Sequence, residues 1–364
     1  MNNISIAKPI LEAEEKNAVL EVLDSGILAQ GPRVKAFEEA FADYCGVSYA
    51  IAVSSGTTAL HIAMLAHEIG EGDEVITTTF SFIATANCML YVGASPVFVD
   101  IETATFNIDP ALIERAVTPR TRAILPVHLY GQCCDMDAIA EIAEKHKLLI
   151  IEDACQSHGA TYKGKKAGSF GTGTFSFYPT KNMTCGEGGM ITTNDTEFAE
   201  RCRVIRNHGM KRRYYHDALG FNFRMTDISA AIGLEQLKKL DKFNAIRREN
   251  AAYYSKHLRG VIVPIEAASC SHVYHQYTIR VENGLRDPLR EHLKENGIGT
   301  EIYYPVPIHQ QAFIQEMVPN LLTLPQSELA AKEVLSIPVH PSVSPADRER
   351  IVDTINSFME VKCA

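Results

Sequence analysis

Short, mainly apolar runs alternate along the chain with longer segments in which apolar residues recur every three or four positions. Runs such as 74–77 and 148–152 are typical of strands buried on both faces, and the periodic segments predict amphipathic helices. We therefore expect an α/β fold in which helices cover both faces of a mainly parallel central sheet. In chain order the predicted elements are helices 12–23 and 33–45, strand 50–53, helix 58–66, strand 74–77, helix 84–92, strand 96–99, helix 110–116, strand 123–126, helix 136–146, strands 148–152, 174–177 and 189–192, and helices 197–206 and 227–257.

The long helical pattern over 227–257 indicates the passage from a large unit to a smaller one. A chain of 364 residues is longer than a single hydrophobic core usually serves. We predict a large domain over 1–245, including the N-terminal helices, and a smaller C-terminal α/β domain over 246–364. Just before the long helix, segment 209–222 is rich in basic residues and shows no periodicity, so we expect a mobile surface loop there.

Composition and charge exclude several classes of function. The net charge of -9 and the pI near 5.8 argue against a nucleic-acid partner, which usually requires a basic surface. The nine cysteines are scattered and form no framework, which is typical of free thiols in a reducing cytoplasm. No apolar stretch is long enough to cross a membrane, and no histidine pair has the spacing of a metal site. We therefore expect a cytoplasmic protein without a membrane segment or a bound metal.

Segment 53–60 reads as a strand, a tight glycine turn and the start of a helix. Backbone N–H groups and the hydroxyls of Ser55, Thr57 and Thr58 would converge beside Gly56, at the positive end of that helix. Such a place suits a phosphate group. An ordinary helix N-cap explains the same residues equally well.

Two further residues have the character of catalytic groups. Asp153 follows the strand 148–152, so its carboxylate should lie at the carboxyl edge of the sheet, where α/β proteins bind ligands. It could instead cap a following helix. Lys181 follows Pro179 in a largely uncharged segment, where partial burial would lower the pKa of its amine and make it a nucleophile and base. A lone loop lysine is otherwise a solvated surface charge.

Five motifs along the chain occur together and in a fixed order. They are Ser-Gly-Thr-x-Ala-Leu, Phe-x-Ala-Thr, Glu-Asp-Ala-x-Gln, Ser-Phe-Tyr-Pro-Thr-Lys-Asn and Asn-x-Arg-Met-Thr-Asp. In this order they closely resemble the DegT/DnrJ/StrS family of sugar aminotransferases, over roughly residues 5 to 358. The resemblance implies a fold-type I pyridoxal-phosphate-dependent transferase.

The resemblance also implies roles for individual residues. Lys181 would hold pyridoxal 5'-phosphate as a Schiff base and then carry a proton, with pyridoxamine 5'-phosphate formed during turnover. Asp153 would pair with the pyridine nitrogen, and Gln156 would contact the phenolic oxygen. The remaining cofactor contacts would come from Ser55, Gly56, Thr57 and Ser176 on the phosphate, from Phe82 on the ring face, and from Asn222 of a second subunit. Without the resemblance, Phe82 would read as a core aromatic and Asn222 as a turn residue.

The implied reaction moves an amino group from L-glutamate to a nucleotide-linked keto sugar, for amino-sugar or surface-polysaccharide synthesis. Tyr304, His309 and Arg212 are the expected substrate contacts, and shared sites make a homodimer the expected active unit. The Pro-x-Pro-x-His pattern favours amination at C3 over C4, although Tyr303 departs from the usual histidine. Two alternatives stay open: a pyridoxamine-phosphate-dependent sugar dehydratase, which would carry histidine in place of Lys181, and a catalytically silent sensor or regulator.

Overall fold

The computed structural model describes residues 3–318 and 323–363, and a central sheet organises the first half of them. Its strands, in chain order, are β1 (Tyr49–Val53), β2 (Glu74–Thr78), β3 (Ser95–Val99), β4 (Thr121–Leu125), β5 (Leu149–Asp153), β8 (Thr172–Ser176) and β9 (Gly189–Thr193); β6 (Thr161–Tyr162) and β7 (Lys165–Lys166) lie outside it. Within the described residues the sheet has seven strands in the order β1-β9-β8-β5-β4-β2-β3. The strands from β8 to β3 are parallel, whereas β9 is antiparallel to both β1 and β8. The expected mainly parallel sheet is confirmed.

Helices pack on both faces of the sheet because side chains alternate along each strand. On β4, Ile124 belongs to the hydrophobic cluster on one face and Leu125 to the cluster on the other. The helices of this half are α1 (Ala13–Ser25), α2 (Pro32–Cys45), α3 (Gly56–Ala66), α4 (Ala84–Leu90), α5 (Pro110–Ala116), α6 (Met136–His146) and α7 (Thr196–Arg206). Those predicted over 110–116 and 136–146 have the observed bounds.

The C-terminal part follows helix α8 (Asp227–His257), whose bounds also agree with the prediction. Its elements are β12 (Cys270–Ser271), β13 (Tyr277–Arg280), α9 (Arg286–Glu295), α10 (Ala312–Met317), α11 (Pro325–Glu333), β14 (Val334–Ile337) and α12 (Pro345–Cys363). β13 and β14 form an antiparallel pair. The predicted domain boundary at 245/246 falls inside α8, and the division into 1–245 and 246–364 stays a prediction.

Segment 209–222 differs in part from its expected loop conformation. It contains a two-stranded hairpin, β10 (Met210–Arg212) with β11 (Tyr215–His216), with exposed side chains at Arg212, Tyr214 and Tyr215. Strands of three and two residues are too short for alternating polarity to be recognised in a sequence. Within the described residues, no helix is long and apolar enough to span a bilayer.

The start of α8 fixes the start of α2 through a buried carboxylate. Asp227 Oδ1 accepts hydrogen bonds from the backbone N–H of Gly31 at 2.9 Å and of Val34 at 3.0 Å, so it satisfies two donors at the open end of α2. A methyl group on Gly31 would lie 2.2 Å from Asp227 Oδ2 and 2.4 Å from Ile27 Cγ2. Only glycine therefore fits at this junction.

We expect Gly31→Ala to lower the free energy of unfolding by about 2 kcal/mol, because the added methyl forces the carboxylate out of its position. Gly70→Ala is the matched control, since its methyl would meet its nearest atom only at 3.7 Å. Chemical denaturation of both variants measures the difference. Equal stability of Gly31→Ala and wild type would contradict this account of the junction.

Candidate active site

A cavity of about 890 Å³ opens at the carboxyl ends of the central strands. Residues that follow β1, β2, β5 and β8 line one side of it, and residues 275–276 and 301–305 of the C-terminal part line the other. Carboxyl ends of parallel strands are the usual place for ligands in α/β proteins. The cavity therefore lies at the edge of the sheet where we predicted the carboxylate of Asp153.

The turn between β1 and α3 forms one end of the cavity. Ser55 caps α3: its Oγ accepts from Thr58 N at 3.1 Å, and Thr58 Oγ1 accepts from Ser55 N at 2.9 Å. A methyl group on Gly56 would lie 2.6 Å from Ser176 Cβ, so this turn packs closely against the end of β8. The N-cap interpretation of Ser55 is correct. It leaves the N–H groups of the first turn of α3, with Thr57 and Ser176, beside the cavity.

Asp153 lies at the end of β5, with only 6% of its surface exposed. Thr85 Oγ1 donates to its Oδ2 at 2.8 Å, and Cys155 N donates to its Oδ1 at 3.2 Å. No helix begins in the turns over 154–160, so the alternative that Asp153 is a helix cap is wrong. Its carboxylate lines the cavity instead.

Gln156 is held by its neighbours in one orientation. Its Oε1 accepts from the backbone N–H of Tyr130 at 3.0 Å, and its Nε2 donates to the Tyr304 hydroxyl at 3.1 Å. One N–H of the amide is left to point at a ligand. Burial raises the pKa of Tyr304, so this hydroxyl stays protonated and keeps a proton to donate.

Lys181 enters the cavity from the loop between β8 and β9. Lys181 N donates to Tyr178 O at 2.9 Å, closing a turn with Pro179 at its second position, where the ring favours the required φ. Burial lowers the pKa of the Lys181 amine, while the nearby Cys155 and Asp153 act in the opposite direction. The interpretation of Lys181 as a solvated surface charge is therefore wrong.

His275 is a cavity residue that the sequence did not reveal. Asn182 Nδ2 donates to the carbonyl of Val273, so its Oδ1 faces His275 Nδ1 at 3.2 Å, and that nitrogen must carry the ring proton. Burial lowers the pKa of His275 well below its usual range, with the charge of Lys181 acting in the same direction. A neutral imidazole with a free acceptor nitrogen therefore lies near the lysine. It is 93 positions from Asn182, and no local pattern marks it.

The remaining predicted residues lie in different places. Phe82 lines the cavity, is 56% exposed and lies 6.4 Å from the ring of Tyr304. Asn222 and Arg212 are not among the residues that line this cavity; Asn222 Oδ1 accepts from Arg224 Nε at 3.0 Å, and Arg212 stacks on Tyr215. Within one chain, they are therefore not brought to the site.

His309 is buried and has partners on both sides of its ring. Its Nδ1 lies 2.7 Å from Thr79 Oγ1, and its Nε2 lies 3.3 Å from Glu328 Oε1. It therefore fastens the segment that carries Tyr304 to the end of β2. A direct contact between His309 and a substrate stays a prediction, and this arrangement favours a positioning role instead.

The donor set of the cavity fits pyridoxal phosphate. A phosphate matches the N-terminus of α3 with its hydroxyl groups, and the absence of a side chain at Gly56 permits close approach. A pyridine nitrogen matches a buried carboxylate, and an aldehyde matches an amine whose pKa is lowered by burial. No group of three or more potential metal ligands is assembled in residues 3–318 and 323–363.

Comparisons with known proteins agree over nearly the whole chain. The model of the DegT/DnrJ/EryC1/StrS aminotransferase family matches residues 9–356. The chain is 47% identical over 355 residues to the "Pleiotropic regulatory protein" of Geobacillus stearothermophilus, covering 96% of this chain and 95% of that one. It is 44% identical over 369 residues to the GDP-perosamine synthase of Caulobacter vibrioides, covering 98% of each. The crystal structure of S. venezuelae DesV in complex with a ketimine intermediate superposes with a TM-score of 0.95 at 40% identity, covering 99% of both chains.

The depressed pKa of Lys181 gives a test on the protein without cofactor. We expect the Lys181 amine to lose its proton at a lower pH than Lys145, whose pKa is raised by hydrogen bonding to Glu114. Reductive methylation with ¹³C-formaldehyde and NMR titration of the dimethyl-lysine signals measures both, with Lys181→Arg to assign the signal. A Lys181 signal that titrates together with Lys145 would refute the desolvated environment.

Proposed function

The chain belongs to the DegT/DnrJ/EryC1/StrS aminotransferase family, and from that premise we propose that it moves an amino group from L-glutamate to the keto group of a nucleotide-linked sugar. The observation that carries this proposal is the meeting of Lys181, Asp153 and the N-terminus of α3 in one cavity. The recognition of the family, the α/β transferase fold, the aminotransferase activity and the pyridoxal phosphate cofactor are all confirmed by these similarities.

The cofactor contacts follow from the positions around the cavity. Pyridoxal phosphate, when bound, supplies an electron sink for the carbon that gains or loses the amino group. Asp153 holds its ring nitrogen and Gln156 its phenolic oxygen, with the free amide N–H donating. The other proposed contacts are Ser55, Gly56, Thr57 and Ser176 at the phosphate, Phe82 on the ring face, and Asn222 from a second subunit.

Lys181 is the proposed attachment point and proton carrier. Because desolvation lowers the pKa of its amine, Nζ loses its proton more readily than an exposed lysine. It could then condense with an aldehyde with loss of water and, once released, could accept a proton from carbon. Nζ would accept a proton from the carbon of the amino donor and, in the second half of the reaction, would donate one to the keto-sugar carbon that receives the amine. Tyr304 keeps its hydroxyl proton and accepts from Gln156, which supports a role for it as a donor to the sugar.

A second copy of the chain is proposed to complete each cavity. Arg212 and Asn222 lie away from their own cavity. Aromatic side chains are exposed both in the cavity lining, Phe82 at 56% and Tyr178 at 48%, and on the hairpin, Tyr215 at 58%. Burying such side chains favours association. In a homodimer, the basic hairpin of one subunit would offer Arg212 to the diphosphate of the sugar nucleotide in the other.

The names of the relatives support a nucleotide-linked sugar as the substrate and do not identify which sugar it is. One relative is named GDP-perosamine synthase and another dTDP-3-amino-3,4,6-trideoxy-alpha-D-glucose transaminase. Amination at C3 rather than C4 therefore stays part of the proposal, supported only by the Pro-x-Pro-x-His segment that ends at His309. Lys181 argues against the dehydratase alternative, which requires histidine at this position.

The regulator alternative has one specific observation in its favour, the name of the Geobacillus stearothermophilus relative. A silent regulator has no need for a lysine with a lowered pKa in the same cavity as a carboxylate. The presence of both in the cavity favours the enzyme, and covalent capture of the cofactor separates the two functions.

We expect purified protein incubated with pyridoxal phosphate and reduced with borohydride to carry the label on Lys181, found by peptide mass spectrometry. Lys181→Ala should lower glutamate-dependent formation of 2-oxoglutarate by about a thousandfold, because the proton carrier is lost. Lys163→Ala is the control, since that lysine is exposed and pairs with Asp137 on the surface. A label on other lysines, or an active Lys181→Ala, would overturn the proposed function.

Subunit complementation tests the shared site. Lys181→Ala and Asn222→Ala should each be inactive, yet unfolding and refolding them as an equal mixture should restore about a quarter of wild-type activity, because half the dimers hold one intact site. The measured quantity is the rate of 2-oxoglutarate formation. If both residues act within one chain, the mixture stays inactive and the shared-site dimer is excluded.

A further inference from the structure

Two hydroxyl groups connect the cavity wall to the carboxylate of Asp153. Ser81 lines the cavity and is 4% exposed, and its Oγ lies 2.8 Å from Thr85 Oγ1. Thr85 is fully buried, and its Oγ1 lies 2.8 Å from Asp153 Oδ2. Thr85 is on the first turn of α4, 68 positions before Asp153. The contact thus joins the α4 and β5 sides of the cavity.

The carboxylate of Asp153 fixes the direction of both hydrogen bonds that link Ser81, Thr85 and Asp153. An ionised carboxylate only accepts, so the single hydroxyl proton of Thr85 must point to Asp153. Ser81 must then donate its own proton to Thr85 Oγ1. Each hydroxyl polarises the next one, so the bond that reaches Asp153 is charge-assisted and stronger than a neutral pair.

The hydroxyl of Thr85 is used differently from most threonines in helices. Such a hydroxyl usually bonds a backbone carbonyl of the preceding turn or contacts solvent. Here the hydroxyl donates to Asp153 Oδ2 on β5, and Cys155 N donates to the other carboxylate oxygen, Oδ1, at 3.2 Å. With one donor on each oxygen, the plane of the carboxylate is fixed while its remaining lone pairs are free to face the cavity.

We propose that Thr85, supported by Ser81, is a positioning residue that orients Asp153 toward the ring nitrogen of the bound cofactor. The proposal rests on the contact between Asp153 and that nitrogen in the proposed function. Partners that orient a binding group commonly change ligand affinity as much as a direct contact does. Thr85 would therefore change the affinity for the cofactor only by way of the contact between Asp153 and the ring nitrogen.

The test compares two ligands that differ at this one atom. Isothermal titration calorimetry measures binding of pyridoxamine 5'-phosphate, which forms no covalent bond with Lys181, and of its analogue with carbon in place of the ring nitrogen. We expect Thr85→Val, which keeps the shape of the side chain, to weaken binding of pyridoxamine 5'-phosphate about tenfold. Binding of the carbon analogue should change little, and Thr85→Ser should restore wild-type selectivity.

Equal weakening of both ligands by Thr85→Val would mean a packing role, and no weakening of either would mean no role; each overturns the proposal. If wild type itself binds both ligands equally, the contact of Asp153 with the nitrogen is absent, and the positioning role is refuted with it. That result is seen in wild type alone, so the two failures are distinct. Ser81→Ala should reduce selectivity less and in the same direction, which decides the question if Thr85→Val does not fold.

Discussion

The active site depends on keeping a lysine amine and an aspartate carboxylate together in one cavity, largely away from bulk water. Burial disfavours the charged form of both groups, so each needs its own surroundings. Lys181 lies in a loop without an anchoring ion pair, and burial lowers the pKa of its amine. Asp153 instead accepts from Thr85 and Cys155, which compensate for the loss of water. The two environments meet because β5 and β8 are adjacent parallel strands and end at the same edge of the sheet.

Hydrogen bonds hold segment 303–309 of the C-terminal part against the central sheet, where it closes the cavity. The Tyr130 hydroxyl donates to the carbonyl of Tyr303, Gln156 donates to the Tyr304 hydroxyl, and His309 bonds Thr79 at the end of β2. Each of these hydrogen bonds joins the segment that carries Tyr304 to a residue near the end of a central strand. A change of sequence at Tyr304 would therefore also alter the surroundings of the Gln156 amide, so the two walls of the cavity depend on each other.

Sequence patterns were sufficient for elements and motifs that are continuous along the chain. Apolar periodicity located the long helix Asp227–His257 and the positions of the central strands along the chain. Contiguous motifs located Lys181 and Asp153. The antiparallel direction of β9 was not predictable, because an apolar strand has the same pattern in either direction. His275 and the link from Thr85 to Asp153 were missed for a related reason: both depend on contacts between distant parts of the chain. The roles of individual site residues, the domain boundary and the cellular location stay predictions.

The cavity contains two features that the packing of the fold does not require. Burying an amine in part destabilises a fold, and a lysine on the surface would avoid that cost. The same holds for a hydroxyl chain that spans two elements to orient one carboxylate. Neither feature contributes to the packing of the two hydrophobic clusters, which consist of apolar side chains on either face of the sheet. Both are explained by chemistry at a bound ring.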